Sequence, residues 1–336
     1  MDIAELHPRS GPEPDLAAWH EVLVATTAHD LPGDPVPALS DTVADLRNPF
    51  ASRPGIQWLG RVAGVPAAAC TLKLLAAPND RIGEVDVQVV PQLRRRGLGR
   101  AILAAAMDRL LEEGRTVVTA AVAGGTAGPA FAHAMGLREV LSEHRSILRL
   151  AGLTPANLDR IVSGTPTGYR LLRWQDRIPE GYAEAYGVAK AAMSDAPMGD
   201  STMQHVRFDT ARLRSVEGTM RRRGIDWRVV TAVHTESGGI AALTELGVPA
   251  GNPYRATQED TAVVPAHRGH ALGLVVKAEM LRWLAAERPD VAEIQTWNAQ
   301  SNRHMLTINE RLGFRRDREW MDYQADIAMV IGRLGS

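Results

Sequence analysis

Cysteine is nearly absent from this chain of 336 residues. The one cysteine, Cys70, cannot form an internal disulfide, and it lies in an apolar stretch where a small buried thiol is expected. No apolar run reaches the roughly 18 residues that are needed to span a bilayer. The N-terminus also lacks the basic and then apolar pattern of a secretion signal. These absences predict a cytoplasmic protein that does not bind a membrane.

An excess of charge of one sign is also lacking, because 38 Lys and Arg residues are balanced by 39 Asp and Glu residues. A protein without a strong global field does not attract polyanions, so we expect no nucleic acid partner. Cysteine and histidine pairs at zinc-binding spacing are missing as well, and we therefore expect no metal site.

The sequence does contain a near repeat. VVPQLRRRGLGR at residues 89–100 and VVPAHRGHALGL at residues 263–274 lie about half a chain apart. A chain of this length is also long enough for two domains at roughly 150 residues each. Proline and glycine break a polar stretch between the halves. We therefore predict an N-terminal domain at residues 1–150, a linker at 151–167 and a C-terminal domain at 168–336.

Both halves predict the same order of strands and helices, because alternating and β-branched runs are followed by apolar residues at helical spacing. The first half predicts strands at 56–75, 81–91 and 116–122 and helices at 99–114 and 129–137. The second half predicts strands at 227–233, 240–248, 294–298 and up to 264, helices at 272–289 and 302–314, and a last strand pair at 320–331. The predicted architecture is an internal repeat of a mixed α/β unit.

In both copies of the repeat, a strand leads through proline into the first turn of a long helix. The first amides of a helix have no partner inside it, and the helix dipole adds partial positive charge there. Glycine lets the backbone approach an anion closely, and arginine donates to phosphate oxygens. The repeat therefore predicts two pyrophosphate-binding turns. An arginine-rich helix start that is merely solvated is the alternative for one copy alone.

Residues 94–99, RRRGLG, resemble the signature (Gln/Arg)-x-x-Gly-x-(Gly/Ala) of the GNAT acyltransferase superfamily. The resemblance implies two tandem units, each a mixed, mostly antiparallel twisted sheet flanked by helices, and acetyl-CoA as the acyl donor. It also implies that amides of the strand before the turn hold the pantetheine arm. The donor-binding residues implied in the first copy are Val87, Val89, Arg94, Arg95, Arg96, Gly97, Leu98, Gly99 and Arg100. Those in the second copy are Thr261, Val263, Arg268, Gly269, His270, Ala271, Leu272, Gly273 and Asn302.

The second copy also resembles the family pattern N-x-x-A-x-x-L-Y-E-x-x-G-F at residues 302–314. The resemblance implies that Asn302 reaches the coenzyme arm. Asn309 stands where the family usually has a tyrosine that protonates the leaving thiolate, and the first copy has Gly125 and Ala132 at the two matching positions. Ala271 replaces the glycine of the turn; we expect ordinary helical geometry there, which one methyl group tolerates.

Acyl transfer to an amine needs a group that takes a proton, because only about one alkyl ammonium in a thousand is neutral at pH 7. Alternation places Glu84, Asp86 and Gln88 on one face of their strand, and Asp260 is the acidic position that both copies share. Glu245 lies on another predicted central strand. We therefore predict Glu245 and Asp260 as catalytic carboxylates, with ion pairing as the alternative role of each. For Lys277 we expect a snorkelling side chain, with a coenzyme phosphate contact as the second possibility.

The function predicted from these residues is an N-acetyltransferase that acts on a small-molecule amine in a ternary complex, as a monomer or homodimer. Loops at residues 27–41 and 193–201 are candidates for acceptor binding. The C-terminal half is expected to be the catalytic one, because it has Asn302 and both carboxylates. A non-catalytic acyl-CoA sensor or pseudoenzyme is the alternative, since neither copy has the tyrosine. Acetylation of proteins also remains open, whereas the spacing does not fit a dinucleotide site.

Overall fold

The structure, a computed structural model, describes residues 1–335 and has a mixed α/β fold. Two compact units are present. The strands are β1 (Asp2–Leu6), β2 (Gly55–Val62), β3 (Val65–Leu74), β4 (Ile82–Val89), β5 (Val117–Ala123), β6 (Arg138–Arg149), β7 (Tyr169–Gln175), β8 (Ile225–His234), β9 (Ile240–Pro249), β10 (Arg255–Val263), β11 (Glu293–Ala299) and β12 (Arg315–Asp326). The helices are α1 (Glu13–Asp30), α2 (Leu39–Arg47), α3 (Leu98–Glu112), α4 (Gly128–Ala134), α5 (Pro155–Ser163), α6 (Glu180–Lys190), α7 (Thr210–Arg222), α8 (Leu272–Glu287), α9 (Arg303–Leu312) and α10 (Ile327–Leu334).

The first unit contains residues 1–142, 198–204 and the chain from residue 319 onward. Its strands follow the order β1-β2-β3-β4-β5-β12, and all pairs are antiparallel except β4 with β5. Apolar residues of α3, such as Ile102 and Met107, are buried against one face of this sheet. Trp19 and Val22 of α1 are buried in a separate cluster with Ala69 of β3. The sheet is therefore covered by helices.

The second unit contains residues 143–197 and 205–318. Its strand order is β6-β11-β10-β9-β8-β7, again with one parallel pair, β10 with β11. Helix α8 is buried over nearly its whole length in one core cluster, and Tyr186 of α6 and Leu213 of α7 lie in another. The α/β fold class predicted from the sequence, with two repeated mixed sheets, is confirmed.

The stretch predicted as a linker contains α5, whose Leu158 and Ile161 are buried in the core of the second unit. Its apolar residues lie at helical spacing between polar ones, so one side packs and the other stays solvated. The two units also exchange chain ends, because residues 143–149 belong to the second unit and residues 319 onward to the first. The domain limits at 150 and 168 stay a prediction.

The strand pair predicted at residues 320–331 is wrong in its second half. Only β12 is a strand there, and α10 begins at Ile327. Ile327 and Val330 are buried in the core of the first unit, three residues apart as on one side of a helix. Within residues 1–335, no helix combines the length and apolar character that crossing a membrane requires.

Candidate functional site

The sheet of the first unit opens between β4 and β5. These two parallel strands pair over Ile82–Glu84 and Val117–Thr119, whereas β4 stays paired with β3 as far as Val89. A cavity of about 670 Å³ lies beyond the last pair. It is lined by β4, β5, the end of α1, the start of α3 and α4. One backbone edge of β4 therefore faces an open space and not a neighbouring strand.

The turn between β4 and α3, residues 90–98, forms one end of this cavity, and we call it the first cradle turn. Arg95 and Gly97 adopt positive φ values of 63° and 81°. No side chain caps α3, whose first residue, Leu98, follows Gly97 directly. The first amides of α3 therefore have no partner inside the helix and offer donors to an anion at the cavity.

Arg94 holds the first cradle turn in place. Its Nε donates to the carbonyl oxygen of Val89 at 3.0 Å, and its two terminal nitrogens donate to the carboxylate of Asp30 at 2.7 and 2.5 Å. Partial burial raises the pKa of Asp30, but the hydrogen bonds from Arg94 and His29 outweigh it and keep this pKa below its ordinary value. Three of the five N–H groups of Arg94 are thus bound within the protein.

The cavity brings together most of the donor-binding residues predicted for the first copy. Arg95 and Arg96 are exposed, whereas Arg100 donates to the carbonyl oxygens of Arg333 and Leu334 at the end of α10. Arg96 does not line the cavity. The predicted residues that do line it are Val87, Val89, Arg94, Arg95, Gly97, Leu98, Gly99 and Arg100.

Several lining residues were not predicted, among them Leu23 of α1, Phe131 of α4 and Trp320 of β12. Phe131 packs closely against Gly99, since a Cβ at that position would lie 3.3 Å from its ring. The motif signals a glycine but not the residue that packs against it. Trp320 comes from the far end of the chain, where nothing in the local sequence signals it.

One face of the first sheet carries three carboxylates beside the opening. Glu84 lies level with Thr119, and Asp322 on β12 is paired with Ala121 of β5, so alternation puts Glu84, Asp86 and Asp322 on the same face. Asp86 also lines the cavity. Asp322 thus adds a carboxylate from the C-terminal strand to the acidic face that the sequence predicts on β4.

The pKa values on this face are shifted upward. Desolvation by the surrounding protein raises the pKa of Asp86, against a hydrogen bond of 2.9 Å from Gln88 and the charge of Lys73. Desolvation and the neighbouring charge of Glu84 raise the pKa of Asp322 to about 6. Glu84 itself is paired with Lys73 at 2.6 Å. The face therefore holds two carboxylates that are better bases than an ordinary aspartate.

The second unit repeats the opening and the turn. The parallel pairing of β10 with β11 covers Arg255–Thr257 and Glu293–Gln295, and the pairing of β10 with β9 is interrupted between Gln258 and Thr261. Residues 264–272 form the second cradle turn. Arg268 donates to the carbonyl oxygen of Val263 at 3.3 Å, as Arg94 does in the first unit, and pairs with the exposed Asp195. Both copies thus build the same turn.

The geometry expected at Ala271 is wrong. Ala271 is not helical but left-handed, with a φ of 55°, at the position where the first turn has Gly97. Its neighbour Gly269 has a φ of 85°, and the matching residue in the first turn is Arg95. A residue with a Cβ costs roughly 1–2 kcal/mol in this region of φ and ψ. Each turn therefore contains one glycine and one strained residue, in opposite order.

The predicted carboxylates Glu245 and Asp260 do come together, but around a lysine. Lys190 lies 2.5 Å from Glu245 and 2.7 Å from Asp260, and Glu245 also accepts a hydrogen bond from Tyr186. Burial lowers the pKa of Lys190, but the charges and hydrogen bonds of the two carboxylates outweigh it and raise this pKa above its ordinary value. Burial raises the pKa of Glu245 despite Lys190. The catalytic role of this pair stays a prediction.

Asn302, Asn309 and Lys277 are all engaged within the second unit. Asn302 caps α9 through a hydrogen bond of 3.3 Å from the amide of Met305. Asn309 donates to Asn298 at 2.7 Å. Lys277 does not snorkel, because it is 1% exposed and its Nζ lies 5.2 Å from the ring centre of Phe314. Desolvation lowers the pKa of Lys277 to about 7. Among the described residues, no three potential ligands lie together as a metal site would require.

Comparisons with known proteins agree with this geometry. The model of the acetyltransferase (GNAT) family matches residues 18–136, which include the first cradle turn and most of the residues that line the cavity. A tandem GNAT protein from the clavulanic acid biosynthesis pathway, solved without acetyl-CoA, is 29% identical with a TM-score of 0.82, and the match covers 97% of this chain and 98% of that one. No curated protein sequence matches the chain significantly.

More distant structures share the fold. A GCN5-related N-acetyltransferase from Sphaerobacter thermophilus is 15% identical with a TM-score of 0.68, over 97% of this chain and 96% of that chain. A putative acetyltransferase from Pyrococcus horikoshii is 14% identical with a TM-score of 0.57, over 97% of this chain and 89% of that chain. Residues 18–136 therefore form a domain that matches the acetyltransferase (GNAT) family, and the chain as a whole is similar in structure to a tandem GNAT protein.

Proposed function

We propose that the protein transfers an acetyl group from acetyl-CoA to the amine of a small molecule, and that the first unit does so. The observation that carries this proposal is the cavity of about 670 Å³ at the opening between β4 and β5. It joins the first cradle turn, an unpaired strand edge and Asp86 in one continuous space. This departs from the sequence-based expectation that the C-terminal half is catalytic.

The donor is proposed to lie along the opening of the first sheet. Amides at the start of α3 and the exposed Arg95 meet the diphosphate, because unpaired amides at a helix start and arginine both favour phosphate. The free edge of β4 from Val87 to Val89 supplies backbone partners for the amides of the pantetheine arm. Arg94 is proposed mainly to hold the turn in place, because three of its five N–H donors are bound to Asp30 and Val89.

Asp86 is the proposed general base. It lines the cavity, and its raised pKa makes it a stronger proton acceptor than an ordinary carboxylate. The amine then attacks the thioester carbon directly in a ternary complex. Ala132 stands at the position of the family's tyrosine, so no side chain there protonates the leaving thiolate. A thiol with a pKa near 8.5 needs little help to leave at neutral pH.

The acceptor is proposed to be a small cationic amine. Asp86 and Asp322 place negative charge on the face of the sheet beside the opening. Such charge attracts an ammonium group and also provides the base that neutralises it. Lys73 is committed to Glu84, which leaves the other two carboxylates to set the charge of this face.

Turnover tests the proposal. Mass spectrometry over a panel of small amines with acetyl-CoA is expected to show an N-acetylated product, and Asp86→Asn is expected to lower kcat by about a hundredfold or more. In the wild type, kcat/KM should rise at the acidic end of the pH profile as Asp86 loses its proton, and this acidic step should be absent in Asp86→Asn, whereas the rise at higher pH from deprotonation of the amine remains. Asp260→Asn, the matching change in the second unit, serves as the control.

The result also separates the proposal from the sensor alternative. Donor binding without any acetylated amine would support a non-catalytic acyl-CoA sensor. A loss of activity in Asp260→Asn, with Asp86→Asn unaffected, would move catalysis to the second unit.

A further inference from the structure

The two units match residue by residue around their openings. Gly97 and Ala271 both precede the first residue of the helix after the turn. A Cβ on Gly99 would meet Phe131 and Val89, and one on Gly273 would meet Ile308 and Val263. Helices α3 and α8 therefore begin in the same way and pack against equivalent positions of their own units. Counting from these glycines, Leu103 on α3 corresponds to Lys277 on α8.

Three further positions match in the same way. Ile82 of β4 pairs with Val117 of β5 in the first unit, and Ala256 of β10 pairs with Ile294 of β11 in the second. Val117 therefore corresponds to Ile294 when the two units are compared. Phe131 of α4 corresponds to Ile308 of α9, because each lies against the matching glycine of its unit. The resulting pairs are Ala121 with Asn298, Ala132 with Asn309, and Leu137 with Phe314.

In the first unit, Leu103, Ala121, Ala132 and Leu137 all line the cavity, and all are apolar. In the second unit, three of these four apolar residues are replaced by polar ones. We call the four counterparts the Lys277 cluster: Lys277, Asn298, Asn309 and Phe314. A polar interior at this place is not needed for folding, since the first unit folds with an apolar one. The replacement therefore points to a different ligand.

Two groups of the Lys277 cluster are left without a protein partner. No carboxylate within residues 1–335 pairs with Lys277, whose Nζ lies 5.2 Å from the ring centre of Phe314. The Oδ1 of Asn309 is buried and accepts no hydrogen bond from the described residues, although its Nδ2 donates to Asn298. Buried polar groups are normally hydrogen-bonded, and an anion stabilises the charged form of a buried lysine.

We propose that the Lys277 cluster of the second unit binds the carboxylate of an organic acid. A carboxylate accepts from the Lys277 ammonium and from the remaining N–H of Asn309, while an N–H or O–H of the same molecule donates to Asn309 Oδ1. The carboxylate comes either from the far end of a dicarboxylic acyl-CoA or from a free small acid. This site lies in the second unit and does not depend on acetyl transfer in the first.

Titration calorimetry tests the site in the full chain carrying Gly97→Trp, which fills the first cradle turn. Succinyl-CoA is expected to bind at least tenfold more tightly than acetyl-CoA, and Lys277→Leu, which restores the residue of the first unit, should remove that difference. Arg311→Leu is the matched control, because it removes one positive charge from the exposed side of α9. Asn309→Ala should weaken succinyl-CoA in the same direction as Lys277→Leu.

Succinate and inorganic phosphate distinguish the source of the carboxylate. A thermal shift of the wild-type chain with succinate, lost in Lys277→Leu and kept in Arg311→Leu, supports a free acid; a shift with succinyl-CoA only supports the coenzyme ester. Equal affinity of succinyl-CoA and acetyl-CoA, together with no succinate effect, overturns the site. An equal response to phosphate also overturns it, because the cluster would then not select a carboxylate. Loss of acetyl transfer alone would leave it standing.

Discussion

Gly97 and Ala271 occupy equivalent left-handed positions with different side chains. Because Gly97 has open space around its Cα, Gly97→Ala adds only backbone strain and should lower the free energy of unfolding by about 1 kcal/mol. Ala271→Gly should relieve the same strain and raise it by a similar amount. Urea unfolding of both variants measures the two changes. Two changes of the same sign would contradict the left-handed geometry of one of the turns.

Lys277 makes the stability of the second unit depend on pH. Its pKa is about 7 in the folded protein and near 10.5 when unfolded, so burial penalises the charged form. The penalty is fully present below pH 7, where both states are protonated, and it decreases as pH rises toward 10.5. Lys277→Leu should therefore stabilise the protein by up to about 5 kcal/mol near pH 6 and by much less near pH 10. Urea unfolding at both pH values checks this, and a gain independent of pH would show that Lys277 is not desolvated.

The sequence predicted the polar and glycine residues of the cradle turns better than their roles. Arg94 was expected to bind phosphate, but Asp30, which lies 64 positions earlier in the chain, could not be recognised as its partner. The lysine between Glu245 and Asp260 was missed for the same reason, since Lys190 lies on another helix. Motif spacing reports which residues a turn contains, whereas their partners depend on tertiary packing.

Helix α1 is tied to the first cradle turn by the pair of Asp30 and Arg94, whose side chains are 21% and 20% exposed. Asp30→Asn should loosen the turn, weaken acetyl-CoA binding several-fold and lower stability by about 1–2 kcal/mol. Asp195→Asn is the matched change in the second unit, where Asp195 and Arg268 are half exposed. We expect it to cost less than about 0.5 kcal/mol. Calorimetry and urea unfolding of the two variants check both, and equal effects would contradict the anchoring role of Asp30.

Strands and helices near the repeats were largely predictable because their apolar residues follow a clear period. The hairpin of β8 and β9 and the helices α3, α8 and α9 lie where the pattern predicts them. The end of β12 and α10 was not predicted, because the apolar residues of 327–334 also fit a short strand. The segment is helical because a helix buries both Ile327 and Val330 in the core of the first unit.

At the scale of the whole chain, the C-terminal segment from residue 319 onward belongs to the first unit. Met321, Tyr323 and Val330 are buried in the core of the first unit although they follow the entire second unit in sequence. A chain ending at Arg318 should therefore lose the first unit, while the second unit keeps all of its segments. Hydrogen exchange should show lost protection in β4 and α3 and retained protection in β9 and α8. A chain ending at Leu334 is the control, and the opposite pattern would contradict the assignment of β12.

No local sequence signal reveals this exchange. The repeat of residues 89–100 and 263–274 predicts two units, but it does not indicate which unit contains the last strand. The pairing of Trp320–Asp326 with Val117–Ala123 joins two segments that lie far apart in the sequence. It depends on the tertiary fold of the first unit, where β5 would otherwise be an exposed edge.

Binding of acetyl-CoA to the cavity of the first unit is the claim that one calorimetric titration tests most directly. Gly97→Trp places an indole in the first cradle turn, and Gly64→Trp is its control, since Gly64 has the same φ of 81° in an exposed turn outside the cavity. Both variants are compared with the wild type after circular dichroism has shown that they fold. We predict that acetyl-CoA binds the wild type and Gly64→Trp, and that Gly97→Trp loses this binding. Undiminished binding to a folded Gly97→Trp protein would contradict the account.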